Sequence, residues 1–286
     1  VQPSVATRPR WWLWPTILSI DAPAVVVLWQ VLIARSASVP AAAPEMAVLG
    51  CSVWLAYAAD RWIEGWRLVP DSIRTHRHRF YQRWRWPLLA LWIAVLGLDI
   101  AAAFLGLPPA ELRAGILLLA PVAAYLLSHQ LVHRRSRWRA PKEACVALLL
   151  GAGAALFAAS RPGADLLAMA VPLVLFVLLC FSNCALISVW ENDVDLSHGQ
   201  TSLALQFGGA AAVSRALPWL IVALSAAAWL ARMPHARAAA ACAGASGTLL
   251  SLVDLAERRI GRAAARVLAD VVLMTPAAWL LLRGGP

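Results

Sequence analysis

Two short stretches place carboxylates at a spacing that suits chemistry. In "YAADRWIEGW", residues 57–66, Asp60 and Glu64 lie four residues apart. In "VWENDVDLSHGQTSLA", residues 189–204, Glu191 and Asp195 repeat the interval with Asp193 between them. On a helix such a pair shares one face, where like charges repel unless a cation bridges them. Carboxylate oxygens in small number, with room for water, suit Mg²⁺, which commonly takes one or two carboxylates and completes its shell from substrate phosphates. A single pair reads equally well as a solvated helix end. Two pairs at equivalent positions favour a divided metal site at Asp60, Glu64, Glu191 and Asp195.

The elements that must position these acids are apolar. The 286-residue chain is 61% hydrophobic and 14% charged, which excludes an ordinary soluble domain and points to a polytopic membrane protein. A bilayer core asks for roughly 20 mostly apolar residues per helix. Windows of that kind fall at about 12–34, 41–59, 87–107, 112–131, 144–160, 166–190, 214–231, 236–253 and 264–282, and each is far too long for a barrel strand. Arg8 and Arg10 precede the first window, which is too long for a signal-peptide core and is interrupted by Asp21 and Pro23; it reads as a transmembrane helix. Both acid pairs then fall at the ends of even-numbered helices.

The net charge of +10 is carried almost wholly by arginines in connectors between the apolar windows. Of the 25 Lys and Arg, 19 fall in one set of alternate segments and six in the other, which supports nine spans with the N-terminus and both acid pairs cytoplasmic. The connector 60–86 interleaves aromatics and arginines; Trp84 and Trp86 read as interface anchors, and nucleic acid is not expected. Asp71 or Ser72 would cap a second short helix there. Five cysteines, all in apolar runs, give neither a disulfide framework nor a zinc spacing. "GAG" at 151–153 and "GASG" at 244–247 read as close helix packing.

"LAYAADRWIEG" after the second helix, "ENDVDLSHGQTSLA" after the sixth and the nine-helix pattern together resemble the UbiA superfamily of intramembrane prenyltransferases. The resemblance implies two acidic motifs, NxxxDxxxD and DxxxD, that hold Mg²⁺ and an isoprenyl diphosphate at the cytoplasmic mouth of a helical cavity. Asp60 and Glu64 match the last two acidic positions of the first motif. Glu191 and Asp195 match the second, with Gly199 and Ser202 at its downstream positions. The chain departs from the pattern at Ala56, where the motif has asparagine, and at two positions where Glu replaces Asp.

Cations on the same side would meet the diphosphate. Lys142, the only lysine, and Arg134 and Arg135 in "HRRSRWRAPKEA" are the candidate contacts. Arg67, Arg74, Arg77 and Arg79, with His76 and His78, would close over the site as a lid. Polar groups inside a bilayer are expensive and therefore functional candidates. Asn183 lies two turns from Glu191 on the same face and would line the cavity, and Asp21 would orient an acceptor or bond a neighbouring helix. Asp99 and Asp270 read as structural. Tyr57, Trp54 or Trp190 would stabilise an allylic cation through a ring face.

The expected protein is thus an all-α polytopic membrane protein. Nine transmembrane helices surround a central cavity capped by the 2/3 and 6/7 connectors, in one UbiA-like domain over residues 1–286. It is expected in a bacterial inner membrane, with its N-terminus and active site cytoplasmic. Its expected activity is Mg²⁺-dependent transfer of a prenyl group to a lipid-soluble or aromatic acceptor; cyclisation of the prenyl chain, a non-catalytic relative and a transporter are the alternatives. A transporter lacks support in the absence of an inverted repeat or paired broken helices.

Overall fold

Each apolar window forms helix, because a chain in hydrocarbon satisfies its N–H and C=O groups only within helices or closed barrels. The structure is a computed structural model and describes residues 9–67, 75–128, 141–197 and 202–282. The helices are α1 (Trp14–Ile17), α2 (Asp21–Ser36), α3 (Ala43–Arg67), α4 (His76–Arg83), α5 (Arg85–Gly106), α6 (Pro109–Leu127), α7 (Lys142–Ala159) and α8 (Leu166–Trp190). They continue with α9 (Asn192–Ser197), α10 (Leu203–Gln206), α11 (Ala210–Leu230), α12 (Arg237–Ile260), α13 (Arg262–Val271) and α14 (Thr275–Leu282).

Among the described residues seven helices are long and apolar enough to cross a membrane, or eight if the bent pair α1 and α2 forms one span. The second predicted window, in α3, is a continuous 25-residue helix, but Glu45, Asp60, Arg61 and Glu64 lie along it and it falls outside that group. A helix with one face on a polar cavity need not be apolar all round. The first window is broken as well. Ser19 takes a left-handed φ of 57°, and α2 leaves α1 at 72°. Asp21 therefore sits at a helix start, where Pro23 is tolerated in the first turn, and not inside a continuous span.

In the core, α2 is wrapped by α3, α7 and α8. Trp29 is fully buried, stacks on Phe176 with centroids 5.1 Å apart, and donates its indole N–H to the Leu273 carbonyl at 3.0 Å. The predicted small-residue contacts are present: a Cβ on Gly151 would stand 2.3 Å from Val177, and one on Gly247 would stand 2.9 Å from the Pro218 carbonyl. Gly261, at φ 83°, makes the turn from α12 into α13 that a side chain would strain. α5 and α6 bury little of their surface in the protein, as helices facing lipid do.

Opposite the acid pairs along α3, a second charged cluster ties the bundle. Arg161, after α7, donates to Glu111 of α6 at 3.1 Å and to the Pro40 carbonyl at 2.6 Å, and pairs with Glu45 of α3. Glu45 also caps its own helix by accepting the Ala42 N–H at 3.1 Å. Both acids are buried and share the same guanidinium.

Candidate functional site

A cavity of about 600 Å³ opens between the helices. Its wall is mostly aliphatic, from residues such as Leu96, Ile116 and Leu119, and Asp60, Glu64, Glu191 and Asp195 all lie on it. α3 continues past Asp60 to Arg67, so Asp60 and Glu64 share one face as their spacing requires. The second pair is built differently. α8 stops at Trp190, and α9 begins at Asn192 with the Asp195 N–H donating to the Glu191 carbonyl at 2.9 Å.

α4 folds back over α3 as the expected lid, but its cap is Thr75, whose hydroxyl accepts the His78 N–H at 3.5 Å. Asp71, Ser72 and Arg74 lie outside the described residues, as do Arg134, Arg135 and Gly199; the Arg67 side chain is likewise undescribed. Gly65 lets α4 approach closely: a Cβ there would meet the Gln82 nitrogen and the His78 carbonyl, each at 3.4 Å. His78, 1% exposed, lies 2.9 Å from Glu64 through Nε2 and 2.7 Å from the Thr75 hydroxyl through Nδ1. Burial draws its pKa down to about 4, against the opposing pull of the Glu64 hydrogen bond. A neutral imidazole fits both contacts, with Nε2–H donating to the carboxylate and Nδ1 accepting from Thr75. Arg61 approaches Glu64 at 3.5 Å.

Glu191 is held by two arginines, Arg77 of α4 at 3.3 Å and Arg266 of α13. Burial pushes its carboxyl upward, but Arg266 and Arg77 outweigh burial and hold it well below the usual carboxylate range. Burial and the neighbouring Arg266 and Arg61 draw Arg77 below its ordinary value, so this is a crowded set of cations. The Nε–H groups of Arg77 and Arg266 are buried and find no hydrogen-bond partner among the described residues. Lys142, at the start of α7, lines the same cavity. Arg79 of the lid is exposed.

Below this mouth lies a second polar ring. Arg266 and Asp270 are one turn apart on α13, and Glu191 and Asn183 are two turns apart, or about 12 Å. Asn183 donates its amide to Asp270 at 2.9 Å, and Asp21 faces Asp270 within hydrogen-bonding reach. Tyr57, one turn before Arg61, lines the cavity beside them. Asp270, expected to be structural, thus belongs to the cavity. Asp99 lines it as well, accepting from the Ser52 hydroxyl at 2.8 Å. Two of the three expected aromatics are used elsewhere: Trp54 donates to the Leu18 carbonyl at 3.0 Å, and Trp190 donates to Asp254 at 2.9 Å. Tyr125, Trp92, Phe104 and Phe157 line the cavity with Tyr57.

Sequence reasoning missed Arg61, Arg266 and Glu143. Arg266 carried a signal, since it falls inside the apolar window 264–282, where a cation is costly. Arg61 sits next to an acid already singled out. Glu143, adjacent to Lys142, is buried and accepts the Leu203 N–H at 3.0 Å, which joins α7 to α10. Nothing in its local pattern indicates that contact.

Whether Mg²⁺ fits depends on the carboxylates that line the cavity and on what already engages them. Among the described residues no three His, Cys, Asp or Glu side chains group as a ligand set. Glu64 and Glu191 are engaged by His78, Arg61, Arg77 and Arg266. Asp60 and Asp195, one from each stretch, both line the cavity, and Asp195 is 6% exposed with no ion pair to a described residue. Two carboxylates meet the smaller demand of a Mg²⁺ that takes its other ligands from phosphate and water.

No protein-family model and no curated protein matches the chain. Among solved structures, it superimposes on the apo structure of a UbiA homolog from Aeropyrum pernix K1 with a TM-score of 0.61 and 20% sequence identity, covering 92% of this chain and 98% of the other. Shared over nearly the whole length of both chains, the fold of this membrane protein is that of the UbiA homolog.

Proposed function

We propose that the protein is a divergent UbiA-type prenyltransferase that moves a prenyl group from an isoprenyl diphosphate to a lipid-soluble or aromatic acceptor within the membrane. The observation that carries this reading is the meeting of Arg61, Arg77, Arg266 and Lys142 at the mouth of an aliphatic cavity, with two buried guanidinium Nε–H groups left to donate. A diphosphate supplies the acceptors those donors lack, and an isoprenoid tail suits the aliphatic wall below.

Glu64 and Glu191 serve as positioning residues in this scheme. They hold Arg61, Arg77, Arg266 and His78 in place, so the donors face the diphosphate without reorganisation. Mg²⁺ held by Asp60 and Asp195 would supply further neutralisation of the leaving diphosphate. The Tyr57 ring faces an allylic cation, and the α4 lid excludes water from it. The excess of cationic connectors on one side supports a mouth that faces the cytoplasm.

The test uses full-length protein in nanodiscs with radiolabelled prenyl diphosphates of several chain lengths, with Mg²⁺ or with EDTA. Diphosphate release that requires Mg²⁺ and is abolished by Asp60→Ala or Asp195→Ala is the expected result. No binding and no release for any donor overturns the reading. Release that persists in EDTA overturns the metal assignment alone.

A further inference from the structure

The ring beneath the mouth has a chemical character opposite to that of the mouth. Apart from the Tyr57 hydroxyl, its available polar atoms are acceptors. Asp21 and Asp270 both line the cavity, and their carboxyl oxygens carry acceptor lone pairs. Asn183 is 7% exposed, and its amide N–H is used on Asp270. Its Oδ1 is buried on the cavity wall and has no hydrogen-bond partner among the described residues. Asp99 adds another acceptor, since Oδ1 is buried without a partner while Oδ2 takes the Ser52 hydroxyl. The nearest cation, Arg266, is one turn above and engaged by Glu191.

A buried acceptor without a donor costs on the order of 1–3 kcal/mol. A ligand that relieves that cost must bring hydrogen-bond donors. A carboxylate or other anion brings none and meets two acids. A phosphate group is accordingly drawn to the mouth and kept out of the ring, and the molecule that enters the ring must be neutral or cationic and carry an O–H or N–H.

We propose that Asp21, Asp270 and Asn183 form the acceptor subsite, which takes a neutral acceptor through a hydroxyl group and receives that hydroxyl's proton. The proposal rests on the prenyl-transfer reading. The C1–O bond of the donor breaks, and its electron pair leaves with diphosphate. The acceptor oxygen forms the new C1–O bond, and its proton passes to a carboxylate oxygen of Asp21 or Asp270. The one-to-two-turn offset between ring and mouth sets the acceptor oxygen beneath the diphosphate, on the side from which the tail enters.

The experiment separates donor from acceptor. In nanodiscs, binding of geranylgeranyl thiolodiphosphate, a slowly ionising donor analogue, is measured first. Binding of propyl 4-hydroxybenzoate, of 4-hydroxybenzoate and of 1,2-dioctanoylglycerol to the loaded protein is measured next. A neutral hydroxyl compound, phenol or alcohol, is expected to bind at least tenfold tighter than the carboxylate, and which of the two binds identifies the hydroxyl source. Asp270→Asn is expected to erase at least tenfold of that preference while donor-analogue affinity stays within twofold. Asn183→Leu, which removes the orphan acceptor without altering charge, is expected to weaken the neutral compound several-fold and leave the carboxylate unchanged. Equal or tighter binding of 4-hydroxybenzoate, no binding of either neutral compound, or an unchanged preference in Asp270→Asn with intact donor binding overturns the subsite. Failure of the donor analogue to bind wild-type protein overturns the prenyl-transfer reading instead.

Discussion

The protein builds two clusters from the same parts, buried Glu and Arg, and finishes them in opposite ways. Away from the mouth, Arg161 serves Glu45, Glu111 and the Pro40 carbonyl, none of them on the cavity wall. At the mouth, Glu191 is shared by Arg77 and Arg266, Arg61 and Lys142 line the same cavity, and two buried guanidinium Nε–H groups find no partner among the described residues. The first cluster sets two carboxylates on one guanidinium and fastens three segments of chain. The second sets Arg61, Arg77, Arg266 and Lys142 against Asp60, Glu64, Glu191 and Asp195 and still leaves two guanidinium Nε–H donors without a partner among the described residues, which an anion would complete.

The contrast can be broken at either end. Arg161→Leu leaves two carboxylates buried and unpaired, so stability should fall by about 3–5 kcal/mol in a detergent unfolding titration, with donor affinity unchanged in the surviving folded protein. A loss below about 1 kcal/mol would mean that the cluster is not the fastening it resembles. The lid contributes the next effect. His78 is drawn from 6.5 to about 4, so the unfolded chain binds its proton at a pH where the folded lid does not. Stability should therefore be full above pH 6.5 and decline as pH falls toward 4, by up to about 3 kcal/mol, and His78→Gln should flatten the decline.

At the mouth itself, Arg266→Gln should weaken binding of an isoprenyl diphosphate by roughly tenfold to a hundredfold, the value of one charged hydrogen-bond donor. Arg266→Lys should restore the charge but only part of the affinity, since Lys lacks the planar fork. Equal binding by the Gln variant would remove Arg266 from the donor site. The smallest effect belongs to the pair Arg262 and Asp193, side chains 43% and 50% exposed just outside the mouth. Arg262→Ala should change stability by less than about 1 kcal/mol and leave donor binding within twofold.

Much of the scaffold was legible in advance because bilayer helices carry a simple signal. The window 166–190 coincides with α8, and most others lie within four residues of their helices, while α3 and α12 run eight and seven residues past the ends of theirs. Where the reading failed, a polar group had an unforeseen partner. The acids of α3 lower its apolarity because Asp60 and Glu64 line a cavity and Glu45 pairs with Arg161, and the break at Ser19 moves Asp21 from mid-helix to a helix start. The lid helix begins at Thr75, since a Thr hydroxyl facing the His78 N–H serves as a cap as well as Asp71 or Ser72 would.

The candidate site divides along the same line. Asp60, Glu64, Glu191 and Asp195 could be named from spacing, because i, i+4 geometry is local and follows from helical pitch. That Glu64 and Glu191 hold arginines, that Arg266 and Arg77 meet across separate helices, and that Asp270 joins Asp21 and Asn183 are contacts between residues up to 249 positions apart. Hydropathy and charge, read residue by residue, specify that this chain enters a membrane and roughly where its helices lie. Which carboxylates are neutralised and which still face the cavity depends on desolvation and pairing, and these are properties of side chains brought together only when the helices pack.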